Sequence, residues 1–226
     1  RMLMKSRKTF AVIGMGRFGS SVARTLYEMG YYVLAIDTDE KRIEPMLPYV
    51  SKAVQADSTD EEVLKELNIG RFDVVVVAIG EDIQSSILST LVLKDLKVNL
   101  LIVKAQNNLQ GKVLEKVGAD KVVFPERDMG HRVAHHLVSP NILDYIELSD
   151  RYSIVELKAT APMLGKNLSQ LHLRAEFGCN VIAIKRPDRQ EINIAPSAED
   201  VIKTNDILVV IGDKNDLNEL EKFYKI

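Results

Sequence analysis

The feature that most constrains this fold is a regular alternation of short β-branched runs with segments of helical spacing. The runs predicted as strands lie at residues 9–13, 32–36, 50–55, 74–78, 100–103 and 122–124, and the predicted helices at 17–29, 59–67, 82–96 and 109–117. Strands that alternate with helices in this way form a parallel sheet covered on both faces. The fourth run is continuously apolar, as expected of a central strand. The sequence therefore predicts a complete doubly wound α/β domain.

One predicted helix, at residues 59–67, has a marked start and end. Thr59 is followed by Glu62 at the spacing of a capping box, and Gly70 comes shortly after the last helical residue. We therefore expect the Thr59 side chain to cap this helix.

A change of pattern separates the last third of the chain from the rest. After Pro125, residues 126–138 predict one further helix, which ends before Ser139 and Pro140. Strands are predicted beyond it at 153–159, 181–185, 191–194 and 207–211, and short helices at 167–171 and 214–224. We therefore expect two domains, an α/β domain with its crossover helix over residues 1–139 and a small α+β domain over residues 140–226.

The charge balance and the single cysteine exclude several classes of protein. The 30 basic and 32 acidic side chains nearly cancel, whereas a nucleic-acid-binding protein needs a basic excess to neutralise phosphates. No apolar run approaches the roughly 18 residues of a membrane span, and the basic residues at 1–8 lack the apolar stretch of a signal peptide. Cys179 is the only cysteine, so no disulfide forms within the chain, which favours a cytoplasmic location.

A glycine-rich turn joins the first predicted strand to the first predicted helix. The segment GMGRFG at residues 14–19 matches G-x-G-x-x-G, in which Gly14 permits a tight turn, Gly16 lets a phosphate approach and Gly19 allows close helix packing. The helix N-terminus offers unpaired N–H groups to a pyrophosphate. Asp37 ends the second predicted strand about 20 residues later, where a carboxylate accepts hydrogen bonds from ribose and repels a 2′-phosphate. This pattern predicts a Rossmann-type nucleotide site and disfavours NADP.

Two kinds of function fit such a site. An oxidoreductase needs acid–base residues that face the nicotinamide, and the small second domain offers one histidine, His172, with no evident partner. A ligand sensor needs no such residues, so we expect a regulatory protein and not an enzyme. A stand-alone NAD(H)-binding oxidoreductase or redox sensor stays open as the alternative, because Asp37 also suits NADH.

Several segments together resemble RCK domains, the regulators of potassium conductance in channels and transporters. These segments are FAVIGMGRFG at 10–19, Asp37, ADST at 56–59, VKAQ at 103–106, GAD at 118–120 and PERDMG at 125–130. The later ones are most similar to the cytosolic subunits of bacterial Ktr potassium transporters, and the small domain resembles an RCK C-terminal (TrkA-C) domain. The resemblance implies an RCK N-terminal nucleotide-binding domain over residues 1–139 and an RCK C-terminal domain over 140–226.

The resemblance also implies a site for ATP or ADP in the first domain. The residues implied to form it are Gly14, Gly16, Arg17, Phe18, Gly19, Asp37, Asp57, Ala78, Lys104 and Glu126. In the family, Arg17 and Lys104 would contact phosphates, and Asp37 and Asp57 would lie near the ribose and the adenine edge. Glu126 would hold a cation, Mg²⁺ or Ca²⁺, between two subunits of a dimer, since hard cations prefer carboxylate oxygens.

A second implied ligand is cyclic di-AMP, bound at a dimer interface of the small domain. Its residues would be Arg174, Asn180, Val181 and Pro196, with the arginine in a turn that leads into a strand. A guanidinium suits a phosphodiester because it offers a planar fork of donors. A two-fold symmetric ligand also matches an interface to which each subunit contributes the same residues.

The implied role is that of a cytosolic regulatory (gating) subunit of a potassium transporter. Its partner would be a membrane-embedded subunit of the KtrB or KtrD type, bound by homodimers that assemble into a ring, octameric in the family. The protein would be cytoplasmic and peripheral to the inner face of the cell membrane, with no nucleic-acid partner.

The implied site residues also have ordinary structural explanations, which stay open. Arg17 could be solvated, and Lys104 could be a surface lysine that follows a strand. Asp57 could precede a helix cap, Glu126 could offset the helix dipole and Arg174 could pair with a neighbouring acid.

The histidines and the cysteine have weaker functional interpretations. His131, His135 and His136 share a predicted helix, but no third ligand for zinc is evident, so we expect no metal site there. Cys179 precedes an apolar strand, where we expect a small buried side chain.

Overall fold

The structure, a computed structural model, describes residues 8–139 and 141–226. The basic segment at residues 1–7 and the break predicted at Pro140 lie outside the described residues. The chain divides into two units, the first ending at Arg127 and the second beginning at Asp128. The domain boundary after residue 139 stays a prediction, since this division falls inside the helix Pro125–Val138.

Six strands of the described residues form one parallel sheet in the first unit. They are β1 (Thr9–Ile13), β2 (Tyr32–Asp37), β3 (Lys52–Gln55), β4 (Val74–Val77), β5 (Leu101–Lys104) and β6 (Lys121–Val123). The order across the sheet is β3-β2-β1-β4-β5-β6, and each neighbouring pair is parallel. This confirms the predicted doubly wound fold, in which the strand order reverses between β1 and β4 and opens a crevice at their carboxyl ends.

Helices connect these strands and cover the sheet. They are α1 (Arg17–Glu28), α2 (Glu40–Ile43), α3 (Glu61–Glu66), α4 (Ile83–Asp95) and α5 (Asn108–Val117). A further helix, α6 (Pro125–Val138), follows the last strand of the sheet and has no buried residue. Alternate strand residues enter different apolar layers: Ala11 and Val75 lie in one, Val12 and Val76 in the other. The valine run of β4 is therefore buried along its whole length, because successive side chains of a strand point to opposite faces.

The start and end of α3 differ from the prediction. Asp60, not Thr59, is the N-cap, and its carboxylate accepts hydrogen bonds from two backbone N–H groups of the first turn at 3.0 and 3.3 Å. The Thr59 hydroxyl donates to Asp57 at 2.7 Å, so the predicted capping box was wrong. The left-handed residue that follows the helix is Asn68, with φ of 53°, and not Gly70. Aspartate and threonine both cap helices well, and the sequence places them side by side.

The second unit contains a five-stranded antiparallel sheet among residues 141–226. Its strands are β7 (Ile142–Glu147), β8 (Tyr152–Lys158), β9 (Asn180–Arg186), β10 (Glu191–Asn193) and β11 (Ile207–Asp213), in the order β10-β9-β11-β8-β7. Its helices are α7 (Leu168–Leu171), α8 (Leu173–Phe177) and α9 (Lys214–Tyr224). This confirms the predicted α+β domain. No helix of the described residues is both long and apolar enough to span a bilayer.

Two elements of this unit were not predicted. Strand β7 lies at the sheet edge with Leu143 and Ile146 exposed, so it lacks a clear apolar face. Helix α8 is a short helix between two left-handed residues, His172 and Gly178, and is too short to show helical periodicity. It replaces the turn predicted around Arg174.

Candidate functional site

A cleft of about 510 Å³ opens at the carboxyl ends of the parallel strands. Nine of the residues implied from the sequence line it: Gly14, Gly16, Arg17, Phe18, Asp37, Asp57, Ala78, Lys104 and Glu126. Gly19 lies beneath the glycine turn, buried against its backbone. The cleft therefore occupies the position where doubly wound sheets bind ligands.

Two glycines of the turn are required by the packing of the protein itself. Gly14 has φ of +94°, and a Cβ there would lie 2.9 Å from the carbonyl group of Ala78. A Cβ on Gly19 would lie 1.7 Å from the carbonyl oxygen of Gly14. No larger residue fits at either position unless the backbone moves.

Gly16 is different, because the described residues do not require a glycine there. Its φ of −69° is ordinary for any residue, and no described atom lies within 4 Å of where its Cβ would be. Since Gly16 lines the cleft, the space that a Cβ would fill is available to a group that approaches from the cleft. A phosphate on a helix N-terminus is such a group.

The N-terminus of α1 is prepared for an anion. Gly16 is the N-cap, no side chain of the described residues caps this end, and the first turn contains no acidic residue. The partial positive charge of a twelve-residue helix therefore faces the cleft with no acidic residue in the helix's own first turn. Arg17, the first helical residue, is exposed beside it.

Asp37 is buried at the end of β2 and connects two loops. One of its carboxylate oxygens accepts a hydrogen bond from the backbone N–H of Met15 at 2.6 Å, and the other accepts one from the N–H of Asp39 at 2.9 Å. Each carboxylate oxygen has a second lone pair, which leaves acceptor capacity for a ligand hydroxyl. Asp37 thus fixes the glycine turn and also lines the cleft.

Lys104 and Glu126 form an ion pair at the edge of the cleft, with 2.8 Å between Nζ and Oε1. The hydrogen bond from Lys104 and that from the backbone N–H of Glu126 itself hold the pKa of the Glu126 carboxyl below its ordinary value. The Lys104 ammonium also lies 6.0 Å from the centre of the Phe18 ring. A basic and an acidic group that both face the cleft are therefore already in contact.

Asp57 is exposed and accepts hydrogen bonds from the N–H and the hydroxyl of Thr59 at 2.9 and 2.7 Å. These contacts form the turn that precedes the cap of α3. The turn holds the carboxylate at the rim of the cleft.

Several residues of the cleft were not predicted from the sequence. Residues 79–82 follow β4, and the Gln106 side chain donates to the Gly80 carbonyl at 2.7 Å, which joins the loops after β4 and β5. Their positions just after predicted strands were the available signal, because ligands bind at strand carboxyl ends. Arg42 also lines the cleft, from the short helix α2, which was not predicted.

The residues implied for a second ligand lie in the second unit. Arg174 is exposed on α8, and Asn180 and Val181 begin β9. Strand β10 pairs antiparallel with β9, so the chain that reaches Pro196 runs back toward the beginning of β9. Their joint role as a binding site stays a prediction.

The contacts of His135 and Cys179 are those of packed side chains. His135 stacks on Tyr145 with 4.6 Å between ring centres, and among the described residues no three His, Cys, Asp or Glu side chains converge on a possible metal position. Cys179 is buried, as predicted, and burial raises the pKa of its thiol to about 11. Such a thiol is a poor nucleophile.

Comparison with known proteins places the chain in a family. The TrkA-N domain family matches residues 10–125, and the TrkA-C domain family matches residues 152–225. Ktr system potassium uptake protein C of Bacillus subtilis is 50% identical over 216 residues, which cover 96% of this chain and 97% of that protein. Ktr system potassium uptake protein A of the same organism is 46% identical, over 95% of this chain and 96% of that protein.

A solved structure supports the fold. The structure described as the GsuK channel bound to NAD has a TM-score of 0.67 and 18% identity, and the match covers 97% of this chain and 40% of that one. Together with the two domain matches and the close relatives, this confirms the resemblance seen in the sequence. The chain belongs to the RCK family, among the Ktr potassium uptake proteins that combine a TrkA-N domain with a TrkA-C domain.

Proposed function

We propose that this protein is a non-enzymatic regulatory subunit of a potassium transporter, and that it senses ATP and ADP in the cleft of its first unit. The observation that carries the nucleotide assignment is Gly16. The packing of the described residues does not require a glycine at this position, and the residue lies at an uncapped helix N-terminus that faces a cleft. Membership of the Ktr family supports the link to potassium uptake.

The chemistry of the cleft fits an adenine nucleotide. Its volume of about 510 Å³ lies within the range of small-molecule sites, about 300–1,000 Å³. Phosphates would lie on the N-terminus of α1 between Arg17 and Lys104, and the ribose would lie on Asp37. The base would extend toward Asp57. The carboxylate of Asp37 disfavours a 2′-phosphate through charge repulsion.

We propose that a divalent cation is shared between the two chains of the dimer. Glu126 is the acidic residue proposed to bind Mg²⁺ or Ca²⁺, and a single carboxylate supplies only part of the oxygen shell of such an ion. A second copy of Glu126 and the polyphosphate of the ligand would supply the remaining oxygens. The cation would then neutralise the negative charges that meet there.

The proposed assembly is a homodimer that builds a ring on a membrane-embedded subunit of the KtrB or KtrD type. Helix α6 supports association, because none of its residues is buried while Met129 and Leu137 are 54% and 77% exposed. Exposed apolar side chains on one helix favour a contact with another protein surface. The protein would act in the cytoplasm, at the inner face of the membrane.

The small domain is proposed to bind cyclic di-AMP through Arg174, Asn180, Val181 and Pro196. The exposed guanidinium of Arg174 suits a phosphodiester, and the exposed Asn180 suits an adenine edge. Two copies of the domain would bind one symmetric ligand.

Calorimetric titration of the purified chain tests the nucleotide assignment. ATP and ADP should bind, whereas NADPH should not. Tighter binding of NADH than of either adenine nucleotide would favour a redox sensor and overturn the assignment. Copurification with a tagged membrane subunit, followed by nucleotide titration of the complex, tests the regulatory role.

A further inference from the structure

A pair of buried hydroxyl groups lies beside the cleft of the first unit. The side chains of Ser58 and Ser89 are hydrogen-bonded, with 2.6 Å between their Oγ atoms, and the two residues are 5% and 0% exposed. Ser58 belongs to the turn at residues 57–60 that precedes α3, and Ser89 belongs to α4. The hydrogen bond compensates both hydroxyls for the water contacts that burial has removed.

The pair joins two segments that line the cleft. The turn contributes Asp57 and Ser58 to the lining, and α4 contributes Ser85 together with its N-cap, Asp82. Ser89 follows Ser85 by one helical turn, so its hydroxyl ties the turn at 57–60 to the helix whose start lines the cleft. The spacing between the turn and α4 is therefore fixed at the contact of Ser58 with Ser89.

The position of the Asp57 carboxylate depends on this contact. The carboxylate accepts hydrogen bonds from the N–H and the hydroxyl of Thr59, which fix it relative to the turn. The residue before the turn, Ala56, donates its N–H to the carbonyl of Asp37 at 2.9 Å. Of the described residues in the turn, Ser58 alone is buried. Its side chain therefore anchors the turn, and the carboxylate with it, to the body of the first unit.

We propose that Ser58 and Ser89 are positioning residues that hold the Asp57 carboxylate where it selects adenine. This inference rests on the proposed nucleotide function, in which the base extends toward Asp57, and it adds a reason for base selection. A carboxylate accepts a hydrogen bond from the 6-amino group of adenine, whereas it repels the 6-oxo group of hypoxanthine. Because hydrogen bonds weaken steeply as their geometry departs from the ideal, a small shift of the turn would reduce this discrimination.

Ser86 supplies a matched control on the same helix. It is 0% exposed, like Ser89, but its Oγ has no hydrogen-bond partner among the described residues. Ser86 is also not one of the described residues that line the cleft. Ser86→Ala therefore removes the same kind of buried hydroxyl from α4 without breaking a hydrogen bond.

Calorimetric titration of the purified chain with ATP and with inosine triphosphate tests the positioning role. The wild type should bind ATP about tenfold or more tightly than inosine triphosphate, as expected of a hydrogen bond to a charged group. Ser58→Ala and Ser89→Ala should each weaken ATP about threefold to tenfold and leave the affinity for inosine triphosphate unchanged. The double variant should lose no more than either single variant, because both serines act through one contact. Ser86→Ala should bind both nucleotides like the wild type.

The outcomes separate this inference from the proposed function. If the wild type binds no adenine nucleotide, both fall. If it binds ATP but the variants at Ser58 and Ser89 keep its affinity and selectivity, the positioning role is refuted and the nucleotide site stands. An equal loss for ATP and inosine triphosphate, or the same loss in Ser86→Ala, indicates a general effect on the fold and also refutes it.

Two further results would overturn the inference. One is an additive loss in the double variant, and the other is a wild type that binds ATP and inosine triphosphate equally. Urea denaturation shows whether each variant is folded under the conditions of the titration. If one single variant does not fold, the other decides the question, because each breaks the same contact of Ser58 with Ser89.

Discussion

Replacing Asp37 with alanine should weaken both the glycine turn and nucleotide binding. The carboxylate accepts the Met15 N–H at 2.6 Å, and Met15 is only 5% exposed. Alanine would leave this buried donor without its acceptor. It would also remove the group proposed to bind the ribose, so the variant should show a loss of stability and a loss of affinity.

The two losses can be estimated separately. A hydrogen bond to a charged group contributes about 1.5–3 kcal/mol, so unfolding free energy should fall by about that amount through the Met15 contact alone. Loss of the ribose hydrogen bonds should weaken ATP and ADP by a similar free energy, which corresponds to roughly tenfold to a hundredfold in Kd. ATP and ADP should be affected alike, because they share the ribose.

Urea denaturation and calorimetric titration of the same preparations measure the two effects. Asp73→Ala is the control, since Asp73 accepts the Thr9 N–H at 2.7 Å at the start of β1, away from the cleft. It should lose comparable stability and keep its nucleotide affinity. Unchanged ATP affinity in folded Asp37→Ala protein would refute the ribose assignment, and unchanged stability would refute the role of the Met15 contact.

Three further predictions concern other parts of the chain. Gly16→Ala should keep its stability or gain up to about 1 kcal/mol, but it should lose ATP affinity. Gly19→Ala should fail to fold stably, because its Cβ would overlap the turn. Equal melting temperatures and equal ATP affinities for the two variants would contradict this prediction. Arg174→Ala should weaken cyclic di-AMP about tenfold or more by calorimetry and leave ATP binding intact, in line with the loss of a charge-assisted contact. Burial raises the pKa of Glu221 above its ordinary 4.5, so its contribution to stability is present below that pH and is lost as the pH rises through the raised pKa. In urea denaturation, Glu221→Gln should therefore gain stability relative to the wild type from pH 4.5 upward, and a constant difference would count against it.

The features predictable from the sequence are those set by local pattern. The valines of β4 and the glycine turn carry their structural meaning within a few residues, so the strand, the turn and the helix after it were placed almost to the residue. The doubly wound class of the sheet followed because strands that alternate with helices form a parallel sheet covered on both faces, although the order of its strands was not predicted. Where two local signals competed, as at Thr59 and Asp60, the sequence did not decide between them.

The contacts that define the cleft could not be read from the sequence. Lys104 and Asp37 were singled out, but the partner of Asp37 is the backbone of Met15, which carries no sequence signal. The ion pair of Lys104 with Glu126 depends on how β5 and the start of α6 lie in three dimensions. Arg42 was missed for a different reason, since its helix of four residues is too short to show a helical period.

A sensor must use part of the free energy of ligand binding to change its own structure. This cleft contains groups that could couple binding to such a change. A ligand shifts a conformational equilibrium only by its differential affinity for the two states. The uncapped end of α1 and the Asp37 carboxylate are fixed by backbone contacts, so they would bind a nucleotide without much rearrangement. Lys104 is different, because its ammonium already contacts the Glu126 carboxylate at 2.8 Å. On the proposed function, the first two groups would supply affinity, and a change in the contact between Lys104 and Glu126 when the ligand binds would supply the difference in affinity between the two states.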